Sequence, residues 1–238
     1  MSGYINDPRK NIHSLYYKEM IINPFLSVKP EIPLDGLVLY LDAGNKLSYT
    51  DSLHTWNDLS GLNNNAAFRS GDLPDASSEA GGCLDWAASD CAAMGAFGTA
   101  VGNQFTYNIF CKPNALGGEK FLFNFKYASN QTQFELNGNS YGLYGAGSGS
   151  SLLSNDNWYM LTCSFDGATL KYYKNGILDG STTYSGFTSA SEFYIGTYPG
   201  SYGAYGFIGK IAIINGYNRA ITQAEVTKIF DKFKSRFE

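Results

Sequence analysis

Asn157–Gly176 reads NWYMLTCSFDGATLKYYKNG, and its punctuation decides the fold. Two strand-like runs, Trp158 to Phe165 and Leu170 to Lys174, are each followed by a dipeptide, Asp166-Gly167 and Asn175-Gly176, that tolerates the positive φ of a tight reversal. Such reversals select hairpins and therefore antiparallel pairing. Parallel βαβ units would need long helical crossovers, for which the chain has no room. Cys163 falls at an alternating position inside the first run, where a thiol acts as a small buried hydrophobe.

The same device recurs in both directions. Leu37 to Asp42, LVLYLD, sets Leu37, Leu39 and Leu41 against Val38 and Tyr40. Phe105 to Cys111 sets Phe105, Tyr107, Ile109 and Cys111 against Thr106, Asn108 and Phe110, and Pro113 is expected to end the pairing. Further strands are expected at Lys120 to Phe125, Gln133 to Leu136, Tyr141 to Tyr144, Glu192 to Gly196 and Gly206 to Asn215, with a third reversal at Asn137-Gly138. Charged residues at 16%, aromatics at 16% and 27 Gly suit strands joined by glycine-rich turns, and all-β sandwiches of this length commonly form one unit. The expectation is all-β: an antiparallel two-sheet β-sandwich over residues 35–238, with an extended N-terminal arm over residues 1–34 and a C-terminal α-helix over 223–236.

Thr222 and Glu225 have the spacing of a capping box, and Val226, Ile229, Phe230, Phe233 and Phe237 form one apolar stripe. The stripe is expected to pack on the sandwich, with a partner-binding helix as the alternative. The arm carries Pro8, Pro24, Pro30 and Pro33, and at most one short helix, around Ser14 to Ile22. Its Tyr16, Tyr17, Ile21, Ile22 and Phe25 are apolar groups to bury, either on their own domain or on a neighbour.

A net charge of −4 leaves no basic surplus for a phosphate backbone, so nucleic acid is not an expected partner. No apolar run approaches the roughly 20 residues of a membrane helix, and Met1 to Lys10 lacks the order of a secretory signal, so no membrane insertion is expected and synthesis is placed in a cytoplasm. Cys83, Cys91, Cys111 and Cys163 match no zinc spacing; Cys83 and Cys91 could bridge in an oxidising compartment, but reduced thiols are expected. His13 and His54 offer no evident base to a Ser or Cys nucleophile. The G-x-S-x-G-like run around Ser148 sits in a Gly/Ser stretch, Gly145 to Ser151, read as a flexible linker.

GLVLYLDAGN at Gly36 to Asn45, W-x-D-L-S-G at Trp56 to Gly61, NWYMLTCSFDG at Asn157 to Gly167 and FIGKIAIINGYNRAITQAEV at Phe207 to Val226 together resemble the laminin-G-like branch of the concanavalin A-like lectin/glucanase superfamily. The last of these, with the F-x-x-F-K-x-R-F tail, is similar to structural proteins of tailed bacteriophages. The resemblance implies a sandwich of the lectin-like jelly-roll type and a non-enzymatic virion protein, a capsid, neck or tail accessory assembled in the host cytoplasm and docked in many copies to other virion proteins by its arm. The alternative is a carbohydrate-binding adhesin that recognises host cell-surface glycans. A glucanase of this superfamily would carry two acids near E-x-D-x-x-E on one strand; Glu31, Glu79, Glu119, Glu135, Glu192 and Glu225 stand apart, so no catalytic residues are assigned. The resemblance also implies a structural calcium, with Asp42, Asn45, Asp58 and Asn63 as candidate ligands, against the reading that Asp58 and Ser60 only cap a turn. Tyr141, Tyr144, Tyr198, Tyr202 and Tyr205 are the candidate glycan or partner contacts, with core packing as the other fate open to each.

Overall fold

The computed structural model describes residues 31–50, 54–69, 73–95, 104–127, 130–184, 192–197 and 203–238. The arm positions Tyr16, Tyr17, Ile21, Ile22 and Phe25 lie outside the described residues, as do Tyr198 and Tyr202. The strands are β1 (Leu37–Asp42), β2 (Thr55–Trp56), β3 (Ala66–Arg69), β4 (Asp75–Ser77), β5 (Cys83–Trp86), β6 (Cys91–Gly95), β7 (Phe105–Pro113), β8 (Glu119–Tyr127), β9 (Asn130–Asn137), β10 (Ser140–Leu143), β11 (Tyr159–Phe165), β12 (Thr169–Lys174), β13 (Ile177–Thr183), β14 (Glu192–Ile195) and β15 (Gly209–Tyr217), and the helix α1 is Gln223–Phe233. One sheet runs β13-β12-β11-β7-β15-β5-β4, with β1 also on β15; the other runs β10-β9-β8-β14-β6-β3-β2. Every pairing between these strands is antiparallel. The chain is an antiparallel two-sheet sandwich with one C-terminal helix.

The reversals that make the sheets antiparallel are those written in the sequence. Asn175 and Gly176 adopt φ of 51° and 81°, as a two-residue hairpin between twisted strands requires. The Asn175 side chain also accepts the Met160 amide at 2.9 Å, tying the β12–β13 turn to β11. Asp166 Oδ1 accepts the amides of Ala168 and Thr169, closing the β11–β12 turn. Pro113 ends the pairing of β7 as its last member, opposite Gly209.

Between the sheets lies an aromatic interior. Tyr107 on β7 stacks on Phe193 of β14 at 5.4 Å and meets Phe123 of β8 at 5.7 Å, joining one sheet to the other. Cys111 and Cys163 belong to this interior as small apolar groups, and burial pushes their thiols far above the ordinary range. All four cysteines are free, and Cys83 and Cys91 begin strands of opposite sheets. In β1 a register shift between Leu37 and Leu39 breaks the expected alternation: Val38 joins Leu39 and Leu41 inside, and Leu37 turns to the other face.

That other face carries a second core. Val226, Ile229 and Phe233 of α1 pack on Phe110, Met160, Tyr173, Ile213 and Tyr217. Burying three such side chains contributes on the order of 5–9 kcal/mol, enough to hold the helix down. Thr222 accepts the Glu225 amide and the Glu225 carboxylate accepts the Thr222 amide, so the capping box forms as the spacing predicts. Arg219 at 2.6 Å from Glu225 holds that carboxyl down to about 2. Past the helix, Arg236 reaches both oxygens of the buried Asp42 at 2.9 and 3.0 Å and the carbonyls of Ala80 and Gly82.

Candidate functional site

Strand β9 contains Gln133-Phe134-Glu135-Leu136-Asn137, and the two-residue period of a strand sends Phe134 and Leu136 inward and the three polar residues outward. The face of the sheet turned away from the interior therefore carries an amide–carboxylate–amide row. Opposite Glu135 stand Phe121 on β8 and Gly142 on β10. Gly142 lets the loop backbone close against β10 beside Glu135, because a Cβ there would overlap the Gly147 carbonyl. The outcome is a groove of about 350 Å³ lined by Glu135, Asn137, Ser140, Gly142 and the loop residues Gly145, Gly147 and Ser148, among others.

Glu135 is the charged group of this groove and is only 5% exposed. Its Oε2 has no hydrogen-bond partner. Burial, then the nearby negative charge of Glu119, raises its carboxyl to about 7, against a weaker opposing hydrogen bond from Asn137. A buried carboxylate with a vacant acceptor is costly unless something outside the chain supplies a donor.

The loop that forms the far wall is fixed in place. Asp179 on β13 accepts the Tyr141 hydroxyl at 2.7 Å, the Ser151 hydroxyl at 2.5 Å and the Ser151 amide at 3.1 Å. Burial opposes ionisation of Asp179, but these hydrogen bonds outweigh it and its carboxyl lies below the ordinary range. Leu143 donates to the Gly147 carbonyl and Gly149 to the Tyr141 carbonyl, so the loop extends the edge of β10. The flexible-linker reading of Gly145 to Ser151 is thus corrected: the glycines permit close packing, and a Cβ on Gly149 would strike the Tyr141 ring and Asp179.

Tyr141 is corrected with it, because it is fully buried, spends its hydroxyl on Asp179 and cannot present its ring to a ligand. Tyr144 is 54% exposed and sits between two residues that line the groove. Tyr205 is 38% exposed and stacks at 5.3 Å on Phe121, the cross-strand neighbour of Glu135. Two of the five tyrosines therefore border the same face of the sheet. Glu135 was legible only as an isolated acid, and the signal that would have marked it is the alternation Gln133, Glu135, Asn137 along one strand.

Three of the four candidate calcium ligands, Asp42, Asp58 and Asn45, have protein partners. Asp42 faces Arg236 and accepts the Gly44 amide. Asp58 Oδ1 accepts the Tyr40 and Ser60 amides and its Oδ2 accepts the Ser60 hydroxyl and the Asn64 amide. Asn45 Oδ1 accepts the Leu47 amide, and Asn63 holds a φ of 60° in the turn before Asn64. Oxygens already engaged by protein donors, one pair of them by a guanidinium, do not fit a cation. Among the described residues no group of three or more His, Cys, Asp and Glu is arranged to hold a metal ion.

Residues 89–227, more than half of the chain, match the laminin-G type profile of the concanavalin A-like lectin/glucanases superfamily, and the chain belongs to that family. Domain 4 of AbnA, a GH43 extracellular arabinanase from Geobacillus stearothermophilus solved with arabinotriose, superposes with a TM-score of 0.65 at 19% identity, over 81% of this chain and 97% of that one. The binding domain of Paraclostridial Mosquitocidal Protein 1 gives 0.64 at 17%, over 83% and 52%. Trypanosoma rangeli sialidase in complex with sialic acid gives 0.64 at 15%, over 95% of this chain but 39% of the sialidase. At these identities the likeness is one of fold. A search of curated protein sequences gave no match.

Proposed function

We propose that this chain is a non-catalytic sugar-binding sandwich whose site is the β9–β10 groove. The observation that carries the reading is Glu135 Oε2, a buried acceptor without a partner that lines a groove floored by Gly142. Sugar hydroxyls donate well to a carboxylate, and the exposed Tyr144 supplies a ring for a sugar face. The family and the arabinotriose-bound relative support the same chemistry. Glycoside hydrolysis needs a second carboxylate across the scissile bond, whereas the β9 row holds one acid between Gln133 and Asn137 and Glu135 is the one acid among the described residues lining the groove. A glycan array on the full chain, repeated with Glu135→Gln and Tyr144→Ala, tests this: binding that both variants weaken is expected. A blank array, or release of reducing sugar from a bound glycan, would overturn it.

The setting we propose is the particle of a tailed bacteriophage, with residues 1–34 docking the sandwich, in several copies, onto other virion proteins. The Phe207–Val226 ending and the aromatic residues of the arm support this setting. Removal of residues 1–33 is expected to leave a folded sandwich that no longer joins particles. Normal incorporation of the truncated chain would refute the docking role.

A further inference from the structure

Resting on the sugar-binding reading, we propose that the groove selects sugars bearing a protonated amine over their N-acetylated counterparts and over acidic sugars. Glu135 lies on β9, and Glu119 on β8 is paired in register with Asn137, two residues further along the same face. The two carboxyls repel each other across this short diagonal, and no Lys or Arg appears among the groups that act on Glu135. None of the described residues lining the groove is basic. A site that held sialic or uronic acids would need a cation for the ligand carboxylate; this one would add a negative charge beside carboxyls that already repel each other.

The unpartnered Oε2 makes the preference specific. A neutral hydroxyl can fill that vacancy, but an ammonium fills it with a charge-assisted hydrogen bond and also relieves the Glu135–Glu119 repulsion. Acetylation removes the charge and adds bulk. The groove offers acceptors but no cation: Asn137 and Ser140 carry side-chain oxygens beside Glu135, although Asn137 also donates a hydrogen bond to that carboxyl.

The test is calorimetric titration of the full chain at pH 7 with glucosamine oligomers, their fully N-acetylated forms and sialylated lactose. The expected order is amine first, roughly tenfold tighter than the acetylated oligomer, with no sialoside binding. Glu135→Gln should erase the difference between the first two while leaving weak neutral binding, and Glu119→Gln should narrow it. Because the protein is acidic overall, equal amine binding by wild type and Glu135→Gln would mark a diffuse charge effect and overturn the proposal. So would tighter binding of the acetylated or sialylated sugar that Tyr144→Ala abolishes, an outcome that keeps the sugar site and discards only its selectivity. Binding by none of the sugars would remove both.

Discussion

Glu135→Gln should make the protein more stable at alkaline pH and remove most of its stability change between pH 5 and 8. Burial and Glu119 hold the Glu135 carboxyl at about 7 in the folded chain, against an ordinary 4.5. The folded state therefore binds the proton more tightly than the unfolded state, and stability is greatest below the unfolded value. It falls as pH rises from about 4.5 to 7, then levels off. At roughly 1.4 kcal/mol for each tenfold change in acidity, the penalty of the ionised form is about 3 kcal/mol. For a domain of this size that is a Tm difference of about 6–12 °C. Urea and thermal unfolding of wild type and Glu135→Gln at half-unit steps from pH 4.5 to 8.5 would read it. The amide keeps the shape and loses the charge, so the variant curve should be flatter through this window and lie above wild type at pH 8. Parallel curves would refute the assignment of the penalty to this carboxylate.

The loop wall gives a second expectation. Asp179→Ala leaves the buried Tyr141 hydroxyl and the Ser151 amide without their acceptor, costs about 2–3 kcal/mol, and should raise hydrogen exchange in residues 145–151 above that of β11. Unchanged exchange there would contradict the pinning. Arg236→Ala strands the buried Asp42 and should cost about 3 kcal/mol in urea unfolding; a change below about 0.5 kcal/mol would mean the pair is screened. Chelation of divalent ions should leave Tm unchanged, because Asp42 and Asp58 have protein donors, whereas a drop restored by calcium would reinstate a cation. Under α1, Asn215 has both side-chain polar atoms unpartnered and stands opposite Asn108, whose Nδ2 is also unpartnered. A high-resolution crystal structure should show buried water bridging them, and a dry contact would contradict this.

The sandwich was legible because its long strands alternate and its reversals are spelled out as Asn-Gly and Asp-Gly; β1, β7, β11 and β12 all stand within a few residues of their expected positions. The region from β2 to β6 was not, because strands such as Asp75–Ser77 and Cys91–Gly95 are short and mostly built from small residues, with no β-branched or aromatic side chain, so their pairing is decided by neighbours far away in sequence. β13 was missed for a different reason: as the outermost strand of its sheet it exposes Ile177 and Leu178, so it lacks a clean apolar face. The helix was legible to its cap, since Thr222 and Glu225 are local.

The site was legible only in part. Exposed tyrosines could be named, but a tyrosine followed by glycine reads the same whether it ends inside, as Tyr141 does, or outside, as Tyr144 does. What separates them is strand parity: Tyr141 shares its face with Leu143 and Phe134. Glu135 escaped notice because the chemistry of an acid depends on what lies across the strand, and Gly142 and Phe121 come from separate strands. The same holds for Asp42 and Asp58, whose oxygen-rich sequence suggests a cation until Arg236, 194 residues away, is brought to one of them by the helix.

The most direct measurement is a crystal structure of the full chain soaked with the tightest sugar found on the array. A sugar ring is expected in the β9–β10 groove, with an amine or hydroxyl within hydrogen-bond reach of Glu135 Oε2. A sugar seated elsewhere on the sandwich, with this groove filled by water, would contradict it.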